Sequence, residues 1–288
     1  MLTGCSRADA AALIADGAVL LGGHPVTVRS RKVAEGDWLD VALPAVPPGP
    51  CGDADVVVAV VHADEAVIVV DKPAGLVVHP GAGNRDHTLV QGLLARFPDL
   101  AVADWPDPGR PGIVHRLDKG TSGLLVVART PAALSNLAAQ LAARTMARRY
   151  TALVWGTVEN LSGVIDAPIG RSPSDPTRMS VRADGRRAVT RYEVVRRWSS
   201  PQPLTLVHCT LETGRTHQIR VHLAAIGHPV VSDERYRVRG VVVDPELVVG
   251  RPFLHAAVLG FDHPTDGRRV TFEAPLPADL TGVLARLG

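Results

Sequence analysis

A segment rich in proline and glycine near the amino terminus most constrains how this chain can fold. Residues 45–53 read Ala-Val-Pro-Pro-Gly-Pro-Cys-Gly-Asp. Proline removes a backbone donor and fixes φ, and glycine loosens the chain, so the segment continues neither a helix nor a central strand. We therefore predict an interdomain linker at residues 44–53, between a small unit at 1–43 and a large unit at 54–288.

Composition and hydropathy limit the class of protein. Of the 288 residues, 46% are hydrophobic, which allows one large core and a small one. No apolar run approaches the roughly 20 residues that cross a bilayer, and the first residues lack the order of a signal peptide. Cys5, Cys51 and Cys209 are too far apart in sequence for a local Cys-x-x-Cys site. We expect a cytoplasmic protein with reduced thiols and no membrane contact.

The distribution of charge is more informative than its sum. The formal net charge of +2 neither demands nor excludes a polyanionic partner. A basic stretch suits a phosphate backbone, but it also suits a solvated surface in a chain that everywhere prefers Arg to Lys. Taken alone, the solvated surface is the slightly favoured interpretation. The stretch contains Arg144, Arg148, Arg149, Arg171, Arg178, Arg182, Arg186, Arg187, Arg191, Arg196 and Arg197.

The small unit has the pattern of one helix followed by short strands. Ser6 is placed to cap a helix through Asp16, which Gly17 ends. Strands are predicted at 19–21, 25–28 and 38–41, with a Gly-Gly turn between the first two. The unit is therefore expected to be a compact helix-plus-sheet module.

Apolar β-branched runs predict buried strands in the large unit. Leu89, Leu93 and Leu94 predict a short helix, and Thr130 followed by Pro131 predicts the start of a longer one. Together these elements indicate an α+β fold with a mixed, largely antiparallel central sheet and flanking helices. Strands are predicted at 56–60, 67–70, 112–114, 123–128, 151–155, 187–195 and 204–211.

A carboxylate lies on a short loop between two of the predicted core strands. Asp118 follows the run at 112–114 and precedes the run at 123–128. A rigid scaffold that leaves one face of a loop open suits a catalytic group. Asp-Lys-Gly is also common turn chemistry, in which Gly120 supplies a positive φ and Asp118 bonds its own backbone. From the residues alone, the turn is the favoured interpretation.

The segment 212–223 predicts a helix with a cation beside its buried side. Thr216 is placed to cap this helix, Ile219 belongs to its apolar side, and Gly227 ends it. Arg220 lies roughly 100° around the axis from Ile219 and so borders the buried side. The ordinary alternative is a surface arginine whose alkyl stem packs on the core.

Neither a metal site nor a nucleotide site is predicted. His217 and His222 are five residues apart, so their side chains diverge on a helix and alternate faces on a strand. The chain has no Gly-x-x-x-x-Gly-Lys motif and no strand-linked Gly-x-Gly-x-x-Gly motif. We expect a protein that needs no cofactor.

Five sequence blocks together resemble the RluA/RluD type of pseudouridine synthase. They are Asp71 to Gly81, Arg149-Tyr150, His115 to Gly123, Gly214 to Leu223, and Leu254-His255-Ala256. The similarity runs from about residue 56 to the end of the chain. It implies the pseudouridine synthase fold and the isomerisation of uridine to pseudouridine in RNA without a cofactor.

The resemblance also implies roles for individual residues. Asp118 would be the essential carboxylate, Arg220 would pair with it, and Tyr150 would stack on the target uracil. An adjacent cation keeps an aspartate ionised, which suits a nucleophile or a base. One departure stands out, because the family usually has glycine where Ser232 precedes Asp233.

Four further residues are expected to bind the substrate. Ile219 would pack against the nucleoside, and Arg116 would occupy the gap that the extracted base leaves in the RNA helix. His115 and Arg215, which lie in the same two blocks, complete the predicted binding set.

The small unit resembles an S4 RNA-binding domain, in which a short helix with a Ser-Arg start lies beside a compact sheet. S4 domains normally begin with another helix, and only five residues precede Ser6, so we expect either a misplaced start site or a truncated copy. An S4 domain joined to this catalytic type favours large-subunit ribosomal RNA as the substrate, with transfer RNA as the alternative. A catalytically silent RNA-binding or ribosome-assembly factor is the remaining alternative. Structured RNA is the expected partner of a monomer.

Overall fold

The computed structural model describes residues 7–42, 49–81, 83–237 and 245–288. The chain divides into two compact units, residues 1–48 and 49–288. This division falls inside the Pro- and Gly-rich segment, of which residues 43–48 lie outside the described residues. In the part of the chain that is described, no helix is long and apolar enough to cross a membrane.

The small unit contains one helix and three short strands. Helix α1 (Arg7–Ala15) is followed by β1 (Val19–Leu21), β2 (His24–Pro25) and β3 (Leu39–Val41), which pair in the antiparallel order β2-β1-β3. Gly22 has a positive φ, as does the glycine after it, and these two residues form the predicted turn. The predicted cap, Ser6, lies outside the described residues. The second strand is shorter than predicted.

The large unit is built on one nine-stranded sheet. Its strand order is β4-β5-β6-β13-β7-β12-β11-β8, and β14 pairs with β13. Only β6 and β13 are parallel, so the predicted mixed, largely antiparallel sheet is confirmed. The strands are β4 (Ala59–Ala63), β5 (Val67–Lys72), β6 (Ser122–Ala128), β7 (Ala147–Trp155), β8 (Ser162–Asp166), β9 (Ile169–Arg171), β10 (Met179–Val181), β11 (Val189–Trp198), β12 (Leu204–Leu211), β13 (Leu254–Asp262) and β14 (Arg269–Glu273).

Strands β9 and β10 form a separate two-stranded sheet over a small second core. This core contains Ile169, Ala188, Val221 and Tyr236, so it joins the hairpin to the helix that carries Arg220. The helices of the large unit are α2 (Leu89–Arg96), α3 (Asp99–Val102), α4 (Pro131–Ala143), α5 (Gln218–Ala225) and α6 (Ala278–Leu287), with a 3-10 helix at Pro245–Leu247.

The main core contains buried residues of β5, β6, β7, β12 and β13 and of the helices that cover the sheet. Every residue of β6 is buried, as expected for an apolar run in the middle of a sheet. The predicted start of α4 is confirmed, because the Thr130 hydroxyl accepts a hydrogen bond from the Ala133 amide and Pro131 is the first helical residue. Two central strands therefore hold the loop that precedes β6.

Two predicted strand segments are wrong. Residues 56–58 pack against α2 instead of joining the sheet. The contact is close, because a Cβ added to Gly92 of α2 would lie 2.6 Å from the Val56 carbonyl oxygen. Residues 112–114 form only an isolated bridge between Ile113 and Val127. Gly112 has a positive φ and passes so close to the end of β6 that a Cβ would lie 2.2 Å from the Ala128 oxygen. Close packing at these glycines overrides the local β propensity.

Candidate active site

A cavity of about 550 Å³ lies in the large unit, between the loop before β6, strand β7 and the segment leading into α5. The structure brings all seven sequence-predicted site residues to this cavity. They are His115, Arg116, Asp118, Tyr150, Arg215, Ile219 and Arg220. What each does in a reaction stays a prediction.

The loop that carries Asp118 is held on two sides by backbone hydrogen bonds. The Asp118 carbonyl oxygen accepts from the Thr121 amide at 3.0 Å, and the Lys119 oxygen accepts from the Gly75 amide at 2.7 Å. Gly120 does not have a positive φ, and the Asp118 carboxylate does not bond its own backbone. The turn-only interpretation is therefore wrong, because the backbone alone closes the turn and leaves the carboxylate free for another partner.

That partner is Arg220, which lies between two carboxylates. Its Nη1 donates to Asp118 Oδ2 at 3.1 Å, while its Nε and Nη2 donate to the two oxygens of Asp233 at 2.6 and 2.8 Å. The Asp233 side chain is fully buried. Its fork-to-fork pairing fixes the plane of the guanidinium, so that one N–H group is directed at Asp118. Asp233 was absent from the sequence-predicted site.

Asp233 is positioned by the unusual backbone of the residue before it. Ser232 has a φ of +60°, the left-handed region that favours glycine. Its hydroxyl donates to the Leu247 oxygen and accepts from the Val249 amide. The loop thus has the shape that a glycine would allow, and the two hydrogen bonds offset the backbone strain of a serine. The departure from the family pattern at Ser232 lies directly before Asp233, but it was not used to predict a site residue there.

The arrangement keeps Arg220 cationic. Burial by itself would lower the pKa of Arg220, but the hydrogen bonds and charges of Asp233 and Asp118 outweigh burial and raise this pKa. The Arg220 guanidinium also lies 5.1 Å from the centroid of the Tyr236 ring. Asp233 takes two of the guanidinium nitrogens, so Asp118 receives one hydrogen bond and its Oδ1 has no partner among the described residues. A carboxylate oxygen is left available for chemistry.

Lys72, in the first sequence block, supports the turn that is bonded to the loop of Asp118. Its side chain is fully buried and its Nζ donates to the backbone oxygens of Pro73 and Leu76 at 2.9 and 2.8 Å. Burial lowers its pKa to about 7, although the negative charge of Asp118 acts in the opposite direction. Lys72 shapes the turn at 73–76, whose Gly75 amide bonds the loop of Asp118.

The other predicted residues surround the pair of Asp118 and Arg220 and differ in how far they are buried. Tyr150 on β7 and Ile219 on α5 are buried, and burial raises the pKa of the Tyr150 hydroxyl. Arg116 is exposed, and Arg215 is half-buried with its Nε donating to the Arg187 oxygen at 3.1 Å. His115 Nε2 accepts from the Val126 amide at 3.3 Å.

Helix α5 does not begin as predicted. Thr216 is not its cap; the residue before the helix is His217, which has a φ of 56° and makes no side-chain cap. The Gln218 side chain instead accepts hydrogen bonds from the Arg215 amide and the Thr213 hydroxyl. The buried Gln218 side chain therefore closes the loop at 213–217, which lines the cavity.

The histidines of this region serve separate structural contacts. His217 Nδ1 lies 2.8 Å from the Tyr236 hydroxyl, and His222 contacts Thr190 and the Ala167 oxygen. Across the described ranges of the chain, no group of three or more His, Cys, Asp or Glu residues is placed to hold a metal ion.

The cavity is strongly basic. Two carboxylates, Asp118 and Glu212, line it together with six arginines: Arg110, Arg116, Arg144, Arg148, Arg215 and Arg220. This excess of cations is typical of a surface that receives a polyanion.

Comparison with known proteins agrees with this geometry. Residues 66–225 match the family model for RNA pseudouridylate synthase. The chain is 43% identical over 282 residues to the RNA pseudouridine synthase YlyB of Bacillus subtilis strain 168, across 98% of this chain and 89% of that protein. It is 42% identical over 291 residues to ribosomal large subunit pseudouridine synthase D of Xanthomonas campestris pv. campestris, across 98% and 85%.

A solved structure shares the fold of the large unit. Human RNA pseudouridylate synthase domain containing 1 is 28% identical, with a TM-score of 0.61, and the match covers 77% of this chain and 84% of that one. The chain therefore belongs to the RluA/RluD type of pseudouridine synthases and is an RNA pseudouridine synthase.

Proposed function

We propose that this enzyme converts uridines of large-subunit ribosomal RNA to pseudouridine, with Asp118 as the catalytic carboxylate. One observation carries the proposal. In a basic cavity lined by Tyr150, Arg220 holds one oxygen of Asp118, and the second oxygen has no partner among the described residues. An ionised carboxylate beside a bound uridine is what this isomerisation requires.

The reaction breaks the bond from N1 to C1′, turns the uracil, and joins its C5 to C1′. It changes no oxidation state and adds no external group, so we propose that it needs no metal or nucleotide. Tyr150 stacks on the extracted uracil and Ile219 packs against the nucleoside. Arg116, which is exposed, fills the gap in the RNA helix. His115 and Arg215 complete the binding set.

One observation favours ribosomal RNA over other RNA, and a second favours RNA over a free nucleoside. Relatives that match nearly the whole chain are named ribosomal large subunit pseudouridine synthase D. The excess of arginines over carboxylates in the cavity suits a polyanionic RNA more than a small uncharged nucleoside. Transfer RNA is the alternative that the experiment below separates.

The small unit is proposed to be an S4-like RNA-binding domain. Its described part combines helix α1 with a three-stranded sheet, and Arg29, Arg31 and Lys32 lie exposed on the loop between β2 and β3. These cations are placed to meet phosphates. We further propose that the enzyme acts as a monomer in the cytoplasm, where its RNA substrate is found.

The test uses unmodified ribosomal and transfer RNA with purified protein. Pseudouridine is mapped by chemical adduct formation and reverse-transcription stops. The parent protein is expected to give new stops in large-subunit ribosomal RNA, and an Asp118→Asn variant is expected to give none. Asp266→Asn, which removes an exposed carboxylate on a turn after β13, serves as the matched control and should retain activity.

Each outcome has a distinct meaning. Stops in transfer RNA alone would replace the proposed substrate with the alternative. Persistent modification by Asp118→Asn would overturn the assignment of the carboxylate. Loss of activity in Asp266→Asn would show that the loss in Asp118→Asn is not specific to the site.

A further inference from the structure

A buried arginine in the cavity has no negative partner in the part of the chain that the structure describes. Arg148 on β7 is 7% exposed, and within the described ranges its only hydrogen bond is a long one, 3.5 Å from Nη2 to the Leu211 oxygen. Its Nε is buried without a partner, and no carboxylate in the described part of the chain lies within salt-bridge distance. Burying a cation without compensation is costly, so a free arginine at this depth requires a functional explanation.

A second unpartnered donor lies in the same cavity. His115 Nε2 accepts a hydrogen bond from the Val126 amide, so the ring proton is assigned to Nδ1. This Nδ1 is also buried without a partner. Burial, together with the positive charge of Arg148, lowers the pKa of His115 to about 3, so the ring is neutral near pH 7.

Both groups therefore offer N–H donors and lack an acceptor. The described residues contain three buried side-chain nitrogen or oxygen atoms without a partner, and two of the three belong to this cavity. Such groups are rare in folded proteins and require an explanation. The complement to the cation of Arg148 is an oxygen that carries negative charge.

The position of Arg148 indicates which oxygen this is. Arg148 and Tyr150 are two residues apart on β7, and both are buried on the cavity side, whereas Arg149 is exposed on the other face. A phosphate stays near solvent and meets exposed arginines such as Arg110 and Arg144. The part of the substrate that leaves water is the base, which Tyr150 is proposed to stack on.

We propose that Arg148 binds a carbonyl oxygen of the target uracil and stabilises the negative charge that the ring gains during the reaction. The inference rests on the proposed function. The electron pair moves onto the ring from the N1 to C1′ bond if Asp118 attacks C1′ or removes a sugar proton. It moves from the C5 to C6 double bond if Asp118 adds to C6.

In each route the ring carries one negative charge. O2 and O4 share this charge when the bond from N1 to C1′ breaks, and O4 carries it after addition to C6. Bonding of C5 to C1′ takes up the charge; the C5 proton then leaves to water and N1 gains a proton, so the product ring is neutral. A donor that is fixed before the charge develops stabilises the transition state more than the ground state. Arg148 therefore contributes more to the rate of the chemical step than to the affinity for the RNA.

The test compares Arg148→Met with Arg149→Met, which removes one charge from the next residue on the exposed face of the same strand. Both act on an RNA fragment that the parent protein modifies, so failure of the proposed function is seen with the parent alone. For Arg148→Met we expect the single-turnover rate constant at saturating enzyme to fall by about 100-fold to 1000-fold. Its Kd should stay within about threefold of the parent. Arg149→Met should change neither value.

Two further measurements separate a catalytic role from a structural one. The Tm of Arg148→Met should not fall, because the variant removes an unpaired buried cation. Placing 2-thiouridine or 4-thiouridine at the target, where sulphur accepts hydrogen bonds weakly, should slow the parent but slow Arg148→Met little further. The inference is overturned by a higher Kd with an unchanged rate constant, which would indicate a phosphate contact. A lower Tm with the lower rate, or no effect on either, also overturns it.

Discussion

Asp233 is the buried partner that holds Arg220, and its replacement by asparagine should destabilise the enzyme strongly. The side chain of Asp233 is fully buried and both its oxygens accept from Arg220. Asparagine keeps the shape but brings an NH₂ group toward a guanidinium that has no lone pair to accept it. Among the described residues, Arg220 then remains buried with Asp118 as its only anionic contact.

The expected magnitude follows from burial. Removing one partner of a buried ion pair costs about 3–5 kcal/mol. For a unit of this size, about 1 kcal/mol corresponds to about 2–4 °C in Tm. Asp233→Asn should therefore lower the Tm of the large unit by about 6–20 °C. Thermal unfolding followed by circular dichroism or calorimetry measures this shift.

A matched control isolates the effect of burial. Arg251 and Asp279 form the same fork, with Nε to Oδ2 at 2.6 Å and Nη2 to Oδ1 at 2.9 Å, but the Asp279 side chain is 43% exposed. An exposed pair contributes about 0–1 kcal/mol, so Asp279→Asn should lower the Tm by at most about 4 °C. Equal Tm losses in the two variants would refute the argument from burial.

Three other predictions concern stability, pH and RNA binding. Ser232→Ala should cost about 1–2 kcal/mol because it keeps the left-handed backbone and loses two hydrogen bonds, whereas Ser232→Gly should stay within about 1 kcal/mol of the parent; a chemical denaturation series checks the order. Burial tends to raise the pKa of Asp64, but hydrogen bonds from His62, His263 and two backbone amides lower it to about 2 from 3.8. The stabilisation is complete above about pH 4 and is lost as the pH falls through about 2, so the Tm difference between the parent and Asp64→Asn should shrink over that range. Deleting residues 1–43 should raise the Kd for RNA more than it lowers the single-turnover rate constant, and the opposite result would contradict an RNA-binding role for the small unit.

Some residues of the candidate site were predicted from the sequence, and others were missed. Asp118 and Arg220 are 102 residues apart, and the family resemblance, not the local pattern, paired them. Lys72 and Asp233 were missed as parts of the site, although both lie in segments that the sequence comparison noticed. Lys72 acts through backbone carbonyl oxygens and Asp233 acts through the side chain of Arg220. Neither kind of contact produces a periodic pattern in the sequence.

The sequence by itself determined the elements whose causes are local. The apolar β-branched run of β5 and the capped start of α4 appear where predicted, and β12 has the predicted bounds of 204–211. A strand or helix start depends on residues within a few positions of each other, so a short window contains its physical cause. The mixed, largely antiparallel sheet followed from the same windows and from the family resemblance.

The tertiary structure alone decided which charges are buried together. It placed Asp233 behind Arg220, packed Gly112 against the end of β6, and left Arg148 buried without an anion among the described residues. The cost of burying a charge depends on every segment around it, and those segments come from distant parts of the chain. Packing therefore turned a carboxylate on a loop into one member of a three-residue ionic network.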